Sequence, residues 1–105
     1  MKSFPEADWK KLRTIQSEKL SMACERVLMH AESIAKGRKG EEHEAFLKLW
    51  KAVNDGNELI AQLFDDMRRS NAMSKLLGWR EHGLLSDAEL DLFSDETREV
   101  LNRTR

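Results

Sequence analysis

Few side chains in this 105-residue chain have the reactivity or ligand character to do chemistry: one cysteine, Cys24, and three histidines, His30, His43 and His82. A lone cysteine excludes an intrachain disulfide and a multi-cysteine zinc site. Cys24 also falls on an apolar helical stripe, where a thiol behaves as a small buried hydrophobe. A carboxylate-bridged di-metal bundle needs Glu-x-x-His, because residues three apart share a helix face one turn apart. Val27, Gly40 and Trp79 stand three positions before the histidines, so that motif is missing. The histidines read as solvated or capping groups.

Carboxylate pairs offer a second chemistry. The helical nucleotide pyrophosphohydrolases hold magnesium with Glu-x-x-Glu on one helix and Glu-x-x-Asp on a later one. Glu41 and Glu44 match the first half, but Glu58 is followed three positions later by Ala61, and the second half fails. No phosphate-cradling glycine loop, zinc-binding His-Glu-x-x-His or dinucleotide fingerprint occurs. A small-ligand-binding or metal-dependent nucleotide-hydrolysing bundle built on Glu41, Glu44 and Glu58 is therefore the rival reading. No cofactor or metal is indicated.

The most unusual cluster is Asp65-Asp66-Met67-Arg68-Arg69-Ser70-Asn71. On a helix Asp65 reaches Arg68 and Arg69, and Asp66 reaches Arg69, as pairs three and four apart. Such pairs on a solvated face contribute little to stability. Placed where the apolar phase breaks, Asp65, Asp66, Arg68 and Arg69 also form a candidate docking patch, with arginine as the fork.

These residues must be positioned by helices, because nothing alternates with period two for long enough to make a strand. Ser3-Phe4-Pro5-Glu6 has capping-box spacing, and the first helix is expected over 3–36, ended by Gly37 and Gly40. A second, over 41–71 or longer, carries Phe46, Leu49, Val53, Gly56, Leu63, Phe64, Met67 and Asn71 within roughly 60° of Ile60 at a helical period. Asn54-Asp55-Gly56-Asn57 is a turn signal, yet Val53 and Ile60 stay in phase across it, which favours an unbroken helix with Ile60 deep in the core. A continuation over 72–82 and short helices over 86–93 and 94–103 complete the chain. Ser86-x-x-Glu89 is a capping box, and 102–105 a frayed end. The three tryptophans, Trp9, Trp50 and Trp79, are expected to close the ends and edges of the core. The fold class is all-α: a long antiparallel helical hairpin crossed by two or three short C-terminal helices, in a single domain.

The first helix should pack through Trp9, Leu20, Ala23, Cys24, Val27, Ala31 and Ile34. Ile15, Met22 and Met29 repeat every seven residues on its far side, an apolar line that calls for a partner. With the short helices used on the hairpin's seam, that line is left for a second copy, and a homodimer is expected. Eighteen basic and 19 acidic residues are interspersed, for a net charge of −1, so no membrane-surface patch is indicated. Nucleic-acid binding through Lys10, Lys11, Arg13 and the Gly37–Gly40 turn is weakened by the interleaved acids. The first residues lack the apolar core of a signal peptide, and a cytoplasmic protein is expected. The sequence thus describes a non-catalytic helical module that self-associates and acts on an unidentified protein partner.

Overall fold

The computed structural model describes residues 3–103. Its elements are α1 (Glu6–Lys36), α2 (Glu42–Phe64), a 3-10 turn at Arg69–Asn71, α3 (Ala72–Glu81), α4 (Asp87–Leu90) and α5 (Asp95–Arg103). The fold is an all-α hairpin with short helices packed across one end. Thr104 and Arg105, half of the expected frayed end, lie outside the described residues.

The hairpin forms as its punctuation dictates. α1 stops at Gly37, and α2 begins with Glu42 and Glu44 in its first turn, where the helix dipole favours anions. The Ser3 capping box does not form: Pro5 takes the cap position without a side-chain hydrogen bond. α2 runs unbroken through Asn54–Asn57. Gly56 is there for space, since a Cβ on it would lie 2.7 Å from a methyl of Val27. That contact fixes the α1–α2 seam.

α2 ends at Phe64, seven residues short of the expected Asn71. Asp65 is extended and Asp66 takes a positive φ of 54°, a conformation that aspartate tolerates better than most residues. Tertiary packing decides this. Trp79 stacks on Phe64 with centroids 5.3 Å apart, and its Nε1 donates to the Leu63 carbonyl at 3.0 Å. Lys75 donates to the Gln62 carbonyl at 2.6 Å. The last turn of α2 is therefore capped by α3 folding back on it, which requires a sharp reversal after Phe64.

The core sits at this base. Leu12 of α1, Leu76 and Trp79 of α3 and Leu101 of α5 are fully buried, with Leu63, Phe64, Leu84 and Phe93 around them. Ile60, one turn before the end of α2, packs against this core but is only half-buried, because its helical phase turns it from the Gly56 seam toward the open side of the hairpin. Trp79 lies at the centre of the core rather than its edge, whereas Trp50 is 63% exposed and covers no core at all. Away from the base the hairpin projects alone. Its radius of gyration, 16.8 Å, exceeds the roughly 13 Å of a compact chain of this length.

Candidate interaction surface

Three polar contacts dock the short helices onto one side of α1. The Asp8 carboxylate accepts from Ser94 N (2.9 Å), Ser94 Oγ (2.6 Å) and Thr97 Oγ1 (2.5 Å), so a buried acid of α1 anchors the start of α5. Lys19 Nζ meets Glu89 Oε2 at 2.5 Å, and Glu89 also completes the Ser86 capping box of α4. Burial pushes the Glu89 carboxyl up, but hydrogen bonds from Lys19 and Ser86 outweigh it and hold the group below the ordinary carboxylate value. Arg26 donates to the carbonyls of His82 (2.5 Å) and Gly83 (2.8 Å), closing the C-terminus of α3, where Gly83 turns the chain at φ 69°. Asp8, Lys19 and Arg26 share one side of α1 at helical spacing.

The expected contact residues are dispersed by this arrangement. Ile15 and Met22 pack against the core, and of that line Met29 stands out at 61% exposure. The Asp65–Asn71 run is not α-helical, breaking at Asp65 and Asp66 before the 3-10 turn, so its expected pairs do not form as such. Asp66 pairs with Arg68 at 2.6 Å across the turn. Arg69 Nε donates to the Phe4 carbonyl at 2.6 Å and lines a cavity of about 770 Å³ with Ser70, Met73, Val100 and Arg103. Asp65 is exposed.

Glu44 and Glu58 lie on one helix, fourteen residues apart, hence about 21 Å at the helical rise, and cannot share an ion. Among the described residues no group of three or more His, Cys, Asp or Glu is placed to hold a metal. Cys24 is half-buried, and His30, His43 and His82 are exposed.

What the hairpin does present is a difference between its two edges. Taking Val27 and Gly56 as facing each other, helical phase assigns every other residue to one edge or the other. One edge carries the docked short helices and, further out, a shallow pocket shared by His30, Ile34, Lys48, Lys51, Ala52 and Asp55. The opposite edge carries Leu20, Cys24, Leu28, Ala31 and Ala35 from α1, and Phe46, Leu49, Trp50, Val53, Asn57 and Ile60 from α2. No charged residue falls within that sector between Leu20 and Ala35 or between Phe46 and Ile60. Phe46 (62% exposed), Trp50, Leu28, Val53 and Leu20 are its exposed large apolar side chains.

Helical phase assigns Leu20, Phe46 and Val53 to the buried seam, whereas in the structure all three are exposed. The signal for this surface is the width of the apolar sector on α2, which is more than one partner helix can cover. Compared with protein-family models, curated proteins and solved structures, the chain finds no match.

Proposed function

We propose that this chain is a non-catalytic helical interaction module, cytoplasmic, that self-associates as a homodimer and in that form engages another protein. The observation that carries the reading is the contrast between base and hairpin. The base packs Leu12, Leu76, Trp79 and Leu101 to zero exposure, while the hairpin leaves Phe46 and Trp50 more than three-fifths exposed. Contiguous exposed apolar surface on a well-packed chain marks a contact site. The half-buried thiol of Cys24, with no second cysteine to pair with, fits a reducing compartment.

The test is sedimentation equilibrium of the purified chain over a wide concentration range. A concentration-dependent rise to twice the 12.2 kDa chain mass is expected. A single 12.2 kDa species up to millimolar concentration would remove self-association from the reading.

A further inference from the structure

We infer that the uncharged edge of the hairpin pairs with the same edge of a second copy, so that two hairpins close into a four-helix bundle. This rests on the self-association proposed above and assigns its surface, moving it from the far side of α1 to the edge shared by α1 and α2.

Shape favours a two-helix occupant. Relative to the Val27–Gly56 seam, Leu20, Cys24 and Val53 lie roughly 20–60° toward the open edge, while Phe46, Leu28 and Trp50 lie about 80–120° round. A single helix laid in the groove would cover the first group and leave Leu28 and Trp50 flanking it, still wet. A second hairpin, with the same width and the same run of turns, covers both groups. Each helix then gains the second neighbour that a four-helix bundle gives it.

Area and charge point the same way. The exposed parts of Leu20, Leu28, Phe46, Trp50 and Val53 come to roughly 500 Å² of apolar surface per copy for side chains of this size. An interface core is about 65% apolar, so an edge of this kind belongs to a contact of roughly 800 Å² per partner, which is what a stable pair needs. Facing an uncharged strip with its own copy buries no unpaired charge. The opposite edge, with Lys48, Lys51 and Asp55 and the docked short helices, has no such freedom. A twofold axis satisfies both copies at once, because each edge is donor and acceptor of the same surface.

The experiment compares purified variants by sedimentation equilibrium, with circular dichroism as the check on folding. Trp50→Glu and, independently, Val53→Glu place a charge in the strip and should reduce the dimer to folded 12.2 kDa monomer. Met29→Glu, on the far side of α1, and Leu47→Glu, on the back of α2, should leave the dimer intact. A dimer that survives both Trp50→Glu and Val53→Glu, or that Met29→Glu dissociates, overturns the edge pairing while self-association stands. A wild type that never dimerises overturns both.

Discussion

Lys19 and Glu89, seventy positions apart, form an ion pair in which the lysine is 2% exposed and the glutamate 20%. A charge in the middle of α1 is thereby neutralised by the first turn of α4, and the pair fixes where the C-terminal helices sit. Because they sit there, the other edge of the hairpin is open.

Removing one partner of this pair has unequal consequences. Glu89→Gln keeps the capping geometry but leaves the buried ammonium with only the exposed Glu18 carboxylate, 3.8 Å away, as its counter-charge, and should cost about 3 kcal/mol. Lys19→Met leaves Glu89 partly solvated and still bonded to Ser86, and should cost less than half as much by the same reasoning. Urea denaturation of the two variants checks the order.

The same pair sets a pH dependence. The Glu89 carboxyl titrates lower in the folded chain than in the unfolded one. Its stabilisation is therefore complete above the ordinary carboxylate pKa and is lost as the pH falls through the folded value. The stability gap between wild type and Glu89→Gln should close across that acidic window and stay constant from there to neutrality. A gap that does not change with pH would contradict the assignment.

Asp8 should behave as a polar anchor rather than a surface acid. Asp8→Ala leaves the hydroxyl of Thr97 and the backbone N–H of Ser94 without their acceptor, at a cost of about 2–4 kcal/mol. The loss should be local first: hydrogen exchange at 95–103 should accelerate more than exchange in α2. Asp8→Asn, which keeps an acceptor oxygen, should recover part of the protection.

At Gly56 two effects compete. Alanine there restores helix propensity by about 1 kcal/mol. It also drives a methyl into Val27, whose branched side chain strongly prefers one rotamer in a helix and gives way at a cost. Overpacking of that kind costs about 1–3 kcal/mol, so Gly56→Ala should be destabilising on balance. Val27→Ala in the same chain should reverse the sign, and a double-mutant cycle would show strong coupling between the positions.

How much of this the sequence discloses depends on whether a feature is local. Gly37 ends α1, Ser86 and Glu89 cap α4, and the phase of Val53 and Ile60 carries α2 through Gly56; each is decided by residues within a turn or two. The end of α2 is decided elsewhere, by Trp79 stacking on Phe64 and capping Leu63, and no periodicity within Glu41–Asn71 contains that contact. The interaction surface is legible only in part, for the same reason: the wide apolar sector of α2 shows that such a surface exists, not where the other helices leave it open. Helical phase gave α1 two apolar faces, but which one the C-terminal helices cover is set by Asp8, Lys19 and Arg26 finding partners in α5, in α4 and at the end of α3. Once those contacts are made, Ile15 and Met22 are covered and Phe46, Trp50 and Val53 are not.

Trp50 is the side chain on which the proposed contact depends most, and fluorine NMR of the fluorotryptophan-labelled chain reads it directly. Three resonances are expected, from Trp9, Trp50 and Trp79, with Trp50→Phe assigning the relevant one. In dilute solution the Trp50 signal should show the solvent isotope shift of an exposed ring, and Trp79 none. As the concentration rises, the Trp50 signal should move and lose that isotope shift while Trp79 stays fixed. A Trp50 resonance that keeps its position and its full solvent shift at every concentration would contradict the claim that this edge is where the protein makes its contact.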